Sequence, residues 1–324
     1  MDWHTEISIE DSSFTLGYED HFFFIGSCFA DHIANKLLHY KYTCVKNPFG
    51  THFHPIPLLN NLREALQNKP IDFSLFVERD AAFFHHSYHS SHWGLSRLDL
   101  VKQLNKIRST VQDQMKQTQL LVITFGTAFL YKTLDSHKEI ANCHKIPSSN
   151  FSKELSTPAE IKFAFNEFYD ELKNQNPQIK ILLSVSPVRH IKEGLHQNNL
   201  SKASLLLACE MIQNSFSDVY YFPAYEIMID ELRDYRFFKK DRVHPSEESI
   251  DYVWRKFSNT FINRESQQLN KNLDALYKSL DHRPYRESSI VHQSFLRKIL
   301  FDAEQLLEKV NLIDEITELK RRIL

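Results

Sequence analysis

The stretch FFFIGSCFA, residues 22–30, carries the pattern on which the fold prediction rests. Four consecutive apolar residues run into a Gly-Ser-Cys turn, as in a buried strand that ends at the edge of a sheet. The apolar residues that follow keep the spacing of a helix: Phe29, Ile33, Leu37 and Leu38. In parallel sheets, such strand-to-helix turns lie where ligands bind. The turn therefore presents two candidate nucleophiles side by side, Ser27 and Cys28.

The alternation of strands and helices continues along the chain. Helical patterns separate further strand-like segments, at residues 41–47, 119–126, 178–187 and 218–226. This order predicts right-handed βαβ units and a parallel sheet. We therefore predict an α/β fold, a three-layer α/β/α sandwich, over residues 1–263. The polar helical pattern of residues 264–324 predicts a C-terminal helical extension, which packs on this domain or pairs with a second copy in a homodimer.

Composition excludes several classes of protein. The chain has 324 residues, of which 42% are hydrophobic and 25% charged, and a formal net charge of −2, so that we expect a globular protein without a nucleic-acid partner. We find no signal-peptide pattern, and the longest apolar runs are too short for a membrane span. The cysteines form no Cys-x-x-Cys pair, and we expect reduced thiols in a cytoplasmic protein. They are Cys28, Cys44, Cys143 and Cys209.

Asp241 and His244 form the second half of the candidate site. In an Asp-x-x-His loop the carboxylate can accept from the imidazole Nδ1–H, which fixes the tautomer and stabilises the imidazolium. Alone the pair is a weak signal, because most such pairs are local hydrogen bonds in surface loops. A nucleophile at the strand-to-helix turn makes a catalytic role for the pair the favoured interpretation. The backbone N–H of such a nucleophile and the helix N-terminus both face an incoming oxyanion. Together the two motifs predict a triad.

Two other clusters offer candidate ligand contacts. Arg189 and His190 follow the strand at 178–187, where the arginine binds a substrate carboxylate or phosphate or forms a salt bridge to a neighbouring loop. The stretch FFHHSYHSSHWG, residues 83–94, holds four histidines. We expect no metal there, because no acid or thiol lies among them. A pocket-edge loop that contacts substrate is the favoured interpretation.

Several motifs together resemble the GSCFA-domain proteins, a family common in Bacteroidetes. They are FIGSCFADHIANKL, NPFGTHFHP, TFGTAFLY, NCHKIP, SVSPVRH, SKASL and DRVHPS, in this order over residues 1–300. That family in turn resembles the SGNH hydrolases. The resemblance implies a flavodoxin-like α/β/α fold and the chemistry of esterases, deacetylases, lipases or acyltransferases.

The SGNH pattern carries over to this sequence only in part. Asp241 and His244 match its Asp-x-x-His block, and Gly50 matches the glycine whose N–H helps to form the oxyanion hole. The third block places Gly126 correctly but has Ala128 where an asparagine is expected. Nearby residues that offer a replacement donor are Thr127, Asn142 and His144. In the first block, alignment on Gly26 puts Cys28 in the serine position, whereas alignment on the hydroxyl selects Ser27.

These observations predict an acyl-ester hydrolase that acts on an acylated carbohydrate or small metabolite. Cys28 or Ser27 attacks, His244 transfers the proton, Asp241 orients His244, and backbone N–H groups of Cys28 and Gly50 stabilise the oxyanion. This mechanism requires no metal or organic cofactor. Two alternatives stay open: a non-catalytic ligand- or glycan-binding protein that keeps the fold, and an O-acyltransferase that uses the same site.

Overall fold

The structure is a computed structural model that describes residues 5–9 and 12–323. Its strands are β1 (His21–Gly26), β2 (Thr43–Lys46), β3 (Phe76–Arg79), β4 (Ala82–His85), β5 (Leu120–Phe125), β6 (Phe129–Thr133), β7 (Glu139–Ile140), β8 (Phe151–Leu155), β9 (Lys180–Val185) and β10 (Val219–Tyr221). Its α-helices are α1 (Cys28–His39), α2 (Pro55–Leu66), α3 (Arg97–Gln117), α4 (Pro158–Gln175), α5 (Leu195–Gln213), α6 (Ala224–Glu226), α7 (Glu247–Phe261), α8 (Arg264–Leu280), α9 (Ile290–Leu306) and α10 (Ile313–Arg322).

The central sheet is parallel, with the strand order β10-β9-β5-β1-β2. Numbered among themselves, these five strands follow the order 2-1-3-4-5 of flavodoxin-like sheets. Strand β1 lies beside β5, and Gly26 pairs with Thr124 at the end of the ladder. The carboxyl ends of all five strands therefore meet at one edge of the sheet, which is the edge that carries the Gly-Ser-Cys turn.

Helices cover both faces of this sheet. Successive side chains of β1 point to opposite faces, and because those of residues 22–25 are all apolar, both faces must be buried. Phe22 and Phe24 pack into one buried cluster with α1 and α7, while Phe23 and Ile25 pack into a second cluster with α2, α3, α4 and α5. The side chains of β5 are buried along its whole length. A strand that is buried on both faces reads as a continuous apolar run, which explains why the sequence pattern was clear. The predicted α/β/α fold is confirmed.

Two small antiparallel sheets lie outside the prediction. Strands β3 and β4 form a hairpin, and β6 pairs with β7 and β8. The stretch 83–94, predicted as a pocket-edge loop, thus begins in β4, and Phe83 bridges to Gly94 at its other end. These strands are two to five residues long and mostly half-buried. Such short segments show too little alternation to stand out in a sequence.

The C-terminal extension consists of α8, α9 and α10 and packs against the α1 face of the domain. Leu273 and Leu296 belong to the same buried cluster as Phe29 of α1. The Tyr40 hydroxyl, just after α1, donates to Asp274 Oδ1 at 2.9 Å. The division of the chain after residue 263 stays a prediction, since this core continues across it. Within the described part of the chain, no helix has the length and apolar character that a membrane span requires.

Candidate active site

The turn after β1 depends on a glycine. Gly26 has a φ of +128°, a conformation that L side chains rarely adopt, and a Cβ there would lie 2.2 Å from the Thr124 carbonyl oxygen. The next residue, Ser27, donates its N–H to that same oxygen at 2.9 Å. Only glycine allows β1 and β5 to approach this closely where the chain leaves the sheet. The turn therefore holds Cys28 at the sheet edge.

Ser27 and Cys28 occupy different environments. Ser27 is the N-cap of α1, and its Oγ accepts from Phe29 N–H at 3.3 Å. Only 1% of Ser27 is exposed. Cys28 is the first residue of α1 and is partly exposed as a free thiol. The hydroxyl thus satisfies an otherwise unpaired amide of the helix start, whereas the thiol faces the edge where substrates reach parallel sheets.

Several charges act on the Cys28 thiol. Burial raises its pKa above the ordinary value, and the Asp31 carboxylate, one helical turn further on, raises it too. Its own backbone N–H lowers the pKa, as do the positive charges of Lys202 and Lys239. The balance leaves the pKa raised, so that the thiol is protonated at neutral pH. A base is therefore needed to make it a nucleophile.

Asp241 and His244 form the hydrogen-bonded pair that the motif predicts. His244 Nδ1 lies 2.7 Å from Asp241 Oδ2, and Asp241 Oδ1 accepts the N–H groups of Val243 and His244 at 2.9 and 3.0 Å. These backbone donors, followed by the imidazole, hold the pKa of Asp241 well below its usual range. Since Nδ1 faces an ionised carboxylate, it carries the proton. Nε2 is then left to accept one.

Contacts between α1 and α7 place the pair near the start of α1, the helix that Cys28 begins. Lys36 of α1 forms an ion pair with Asp251 of α7. One turn earlier, the charge of Glu247 acts on His32. The charge of His244 also acts on His32, which lies one turn after Cys28 on α1.

No hydrogen bond joins Cys28 Sγ to His244 among the described residues. The side chain of His244 is 43% exposed and that of Asp241 is 50% exposed. The Asp241–His244 pair is thus formed on an open loop, and it makes no hydrogen bond to the Cys28 thiol.

Three of the predicted oxyanion donors are already engaged in this structure. Gly50 N–H donates to Asn47 O at 2.7 Å, and the N–H groups of Gly126 and Thr127 donate to Phe53 O at 2.8 and 2.9 Å. The Thr127 hydroxyl pairs with the Ser201 hydroxyl at 3.0 Å. Gly50 is engaged within its own turn, whereas Gly126 and Thr127 are engaged because the segment after β5 packs against the chain before α2. The oxyanion role of these groups stays a prediction, as does that of the Cys28 N–H, which lowers the pKa of its own thiol.

Asn142 and His144 stabilise a neighbouring segment instead. Asn142 Oδ1 accepts from His144 N–H at 2.8 Å. The ring of His144 pairs with Ser90 Oγ and His85 O, each at 3.0 Å. Burial lowers the pKa of His144 to about 4. Their partners lie in the stretch 83–94, so the structure does not bring these two predicted donors to Cys28. Among the described residues, no group of three or more His, Cys, Asp or Glu side chains is placed to hold a metal ion.

Arg189 and His190 lie beyond the end of β9. The Arg189 guanidinium stacks over Tyr235 and Phe238, 5.9 and 5.4 Å from the ring centroids. Cation–π contact, which neither of the predicted alternatives included, holds it beside the segment that leads to Asp241. The ring of His190 packs edge-on against Phe53 at 5.4 Å. Burial, with the charge of Lys202, lowers the pKa of His190 to about 4, so this imidazole is neutral at pH 7.

Two family models cover most of the chain. One, described as the GSCFA family, matches residues 21–257, and another, described as the GSCFA domain protein C-terminal domain, matches residues 273–324. This chain belongs to the GSCFA family. The resemblance predicted from the motifs around Cys28 and Asp241 is therefore confirmed. No curated protein matches this GSCFA chain.

Solved structures similar to this GSCFA protein are distant in sequence. An acetyl xylan esterase (Est2A) from the rumen bacterium Butyrivibrio proteoclasticus has 11% identity and a TM-score of 0.36, over 81% of this chain and 65% of its own. A family two carbohydrate esterase from Clostridium thermocellum, in complex with cellohexaose, has 11% identity and a TM-score of 0.37, over 75% and 64%. A carbohydrate esterase family 3 protein from Talaromyces cellulolyticus has 8% identity and a TM-score of 0.36, over 78% and 99%. These likenesses assign no activity to the chain.

Asn47 is a residue of the GSCFA site that the sequence prediction did not single out. Its Oδ1 accepts from Gly26 N–H at 2.8 Å, and its Nδ2 donates to Asp31 Oδ1 at 3.0 Å. It thereby ties the ends of β1 and β2 to the first turn of α1. The sequence feature that could have revealed Asn47 is its place in the NPFG motif, directly after β2 at the carboxyl edge of the sheet.

Lys202 is the second such residue. It lies on α5, is 1% exposed, and donates from Nζ to the carbonyl oxygens of Gly126 and Ser186, at 2.6 Å each. Burial lowers its pKa to about 7. It lies in the SKASL motif, but nothing else in the sequence indicated a role for it, because a lysine in a helix normally indicates the solvent face.

Proposed function

We propose that this GSCFA protein hydrolyses acyl esters and that Cys28, His244 and Asp241 form its triad. The observation that supports the proposal is the Asp241–His244 pair, closed at 2.7 Å, at the sheet edge where Cys28 begins α1. A carboxylate that holds Nδ1 leaves Nε2 as a proton acceptor. Ser27 is assigned the N-cap role instead, because its Oγ is buried and accepts a helix amide.

The mechanism follows from these groups. His244 Nε2 takes the thiol proton, and the Cys28 thiolate attacks the acyl carbonyl to give a tetrahedral intermediate. The intermediate collapses to a thioester, and the imidazolium returns its proton to the leaving alcohol. His244 then deprotonates a water molecule that attacks the thioester, and the released thiolate takes the proton back. Asp241 stabilises the imidazolium in both halves, and the Cys28 N–H faces the oxyanion.

In this proposal, His244 and Cys28 come into contact only when substrate binds. The loop that carries the pair is open, with half of the Asp241 side chain exposed. Hydrogen bonds between catalytic groups are often absent before substrate binding and tighten in the complex. Since Asp241 and His244 are bonded to each other, the pair can move as a unit.

An acylated carbohydrate or small metabolite is the proposed substrate class. Two aromatic side chains stay exposed beside the site, Phe53 at 37% and Tyr235 at 56%. Phe53 packs on His190, and Tyr235 lies under Arg189. Exposed rings that carry a polar neighbour offer a sugar ring both an apolar face and hydrogen bonds.

Hydrolysis of p-nitrophenyl acetate tests the function. We expect turnover by the purified protein, acetylation of Cys28 detected by mass spectrometry, and a loss on the order of 10³-fold or more in Cys28→Ala and His244→Ala. Ser27→Ala is the matched control and should retain turnover. Undiminished hydrolysis by His244→Ala would refute the triad.

The open loop also supports a second candidate, a binding protein that keeps the fold without catalysis. Its signature would be carbohydrate binding with no turnover and no acylation of Cys28. An O-acyltransferase would form the same thioester but pass the acyl group to an alcohol. Product analysis with and without an added sugar acceptor separates transfer from hydrolysis.

A further inference from the structure

Arg189 differs from the other arginines that are withdrawn from solvent. Among the described residues, four other arginines are partly or fully buried, and each donates to a carboxylate or carbonyl oxygen: Arg63, Arg79, Arg108 and Arg322. Arg189 is partly buried too, yet within residues 5–9 and 12–323 its guanidinium has no oxygen acceptor and no ion pair. Withdrawing hydrogen-bond donors from water without acceptors is costly, so these N–H groups indicate a ligand that supplies the acceptors.

Two aromatic rings hold this guanidinium in place. Its central carbon lies 5.9 Å from the ring centroid of Tyr235 and 5.4 Å from that of Phe238. Ring faces attract the positive charge but offer the N–H groups no oxygen acceptor. The charges of Arg189 and Asp230 both act on Tyr225, but Asp230 forms no ion pair with the arginine. A positioned guanidinium with free N–H groups is suited to bind a planar carboxylate or a phosphate through two parallel hydrogen bonds.

Contacts on one side of Arg189 connect it to the turn after β1. The next residue, His190, packs edge-on against the ring of Phe53 at 5.4 Å. Phe53 follows His52, whose N–H donates to Gly26 O at 2.8 Å. The segment that contacts His190 is therefore bonded directly to the Gly-Ser-Cys turn.

Contacts on the other side connect Arg189 to the loop of the histidine base. Phe238, one of the two rings under the guanidinium, forms a β-bridge with Pro245. Beside this bridge, Lys239 N–H donates to His244 O at 2.7 Å. Arg189 and His190 thus join the segment bonded to the nucleophile turn and the segment bonded to the His244 loop, as expected for a residue that contacts substrate rather than one in a remote surface pair.

We propose that Arg189 binds an anionic group of the substrate, a carboxylate or a phosphate, and so makes the protein selective for acidic sugars or comparable small anions. The neutral rings of Phe53, His190 and Tyr235 contact the uncharged part of the same molecule. That this molecule is an acyl ester rests on the proposed function. Anion binding by Arg189 does not, because it requires no turnover.

Titration of the full chain with D-glucuronate, glucose 6-phosphate and D-glucose, followed by ¹H–¹⁵N NMR, tests the anion site. None of the three is an ester, so the measurement does not depend on catalysis. We expect the anions to bind at least about tenfold more tightly than glucose and to shift the Arg189 Nε–H signal, since hydrogen bonds to a charged group are the stronger ones. The tighter of the two anions identifies the group, carboxylate or phosphate, for which the site is built.

Two substitutions of Arg189 separate its charge from its geometry. Arg189→Met keeps apolar contact with the two rings and should weaken anion binding at least about tenfold, which removes the preference over glucose. Arg189→Lys keeps the charge without the two parallel donors and should retain only part of the affinity.

Arg236 offers a matched control in the same segment. Its guanidinium also lies over a ring, that of Phe237 at 5.2 Å, but it is exposed and pairs with Asp234 at 3.8 Å. Arg236→Met should bind both anions as the wild type does. The proposal would be overturned by wild-type anion binding in folded Arg189→Met, by equal affinity for glucose and the anions, or by no binding of either anion at about 50 mM.

A kinetic measurement connects the anion site to the reaction. With acetylated methyl glucuronoside and acetylated methyl glucoside as substrates, we expect Arg189→Met to raise KM for the acidic ester far more than for the neutral one. Equal effects on the two esters would contradict substrate selection by Arg189. Absence of turnover by the wild type would refute the proposed function but would leave the binding titrations as the test of the anion site.

Discussion

At the scale of single residues, the neighbouring side chains Ser27 and Cys28 have different roles in the turn after β1. Ser27 completes the hydrogen bonding of α1, and Cys28 presents its thiol at the open edge. The division follows from geometry, because an N-cap side chain points back at the helix amides while the next residue points away from them. Gly26 makes both possible, since its φ of +128° turns the chain out of β1.

We predict opposite effects for the two substitutions at this turn. Ser27→Ala should lower the free energy of unfolding by about 1 kcal/mol, because it removes the cap of α1, and should leave iodoacetamide alkylation of the turn intact. Cys28→Ser should abolish that alkylation at nearly unchanged stability. Urea unfolding provides the stability values.

Thr157→Ala is the control for the cap. Thr157 caps α4 in a complete capping box with Glu160, away from the turn. It should cost a similar free energy without any effect on Cys28. If Ser27→Ala lost the reactive thiol and Thr157→Ala did not, the N-cap assignment of Ser27 would be incomplete.

At the scale of elements, α2 begins with a histidine rather than a usual capping residue. His54 Nδ1 accepts from Ile56 N–H at 3.1 Å, and Nε2 pairs with Ser156 Oγ at 3.1 Å. This arrangement requires the neutral ring with its proton on Nε2, because a protonated Nδ1 cannot accept. Burial lowers the pKa of His54 to about 3. The N-cap hydrogen bond of α2 therefore depends on pH, because it requires the neutral form of His54.

We predict that stability falls as the pH drops below the ordinary histidine range. The unfolded chain binds a proton near pH 6.5 and the folded chain only near pH 3, so acid favours unfolding between these values. The slope is about 1.4 kcal/mol per pH unit for each such histidine. His54→Asn keeps a capping side chain that does not titrate, and it should flatten the dependence measured by urea unfolding at pH 5 and pH 7. An unchanged slope would contradict the assignment.

At the scale of the whole molecule, the C-terminal helices complete the core on the α1 face. Leu273 of α8 is fully buried in the cluster that contains Phe29. Lys41, just after α1, forms an ion pair with Glu315 of α10 at 2.7 Å. The extension thus covers apolar surface of the domain itself, which was one of the two roles predicted for it. A role in a homodimer stays a prediction.

We predict that Leu273→Ala destabilises the entire protein by about 2–5 kcal/mol, because it opens a cavity in a shared core. Leu207→Ala on α5, where the leucine is 58% exposed, is the control and should change stability by no more than about 0.5 kcal/mol. Urea unfolding followed by both far-UV circular dichroism and tryptophan fluorescence should give one coincident transition for each variant. Separate transitions for the two probes would show that the extension unfolds independently.

Some features of this protein could be predicted from its sequence and others could not, depending on how strong a local pattern each one leaves in the chain. The Asp241–His244 bond was predictable because both partners lie within one short loop. The strand ends at residues 26, 125 and 185 were predictable to within two residues, because buried parallel strands are continuous apolar runs. The β3–β4 hairpin was missed, because four-residue, half-buried strands leave almost no periodic signal.

The sequence by itself determined the alternation that makes a parallel sheet, the glycine turn after β1 and the local pair of Asp241 and His244. Each of these depends on neighbours in the chain. Only the tertiary structure decided that the Gly126 amide is engaged by Phe53 and that Lys202 is buried against the carbonyl of Gly126. Those facts depend on contacts between distant segments, such as the 76 residues that separate Lys202 from Gly126. Burial and hydrogen-bond partners at such distances arise only once the sheet and its helices have packed.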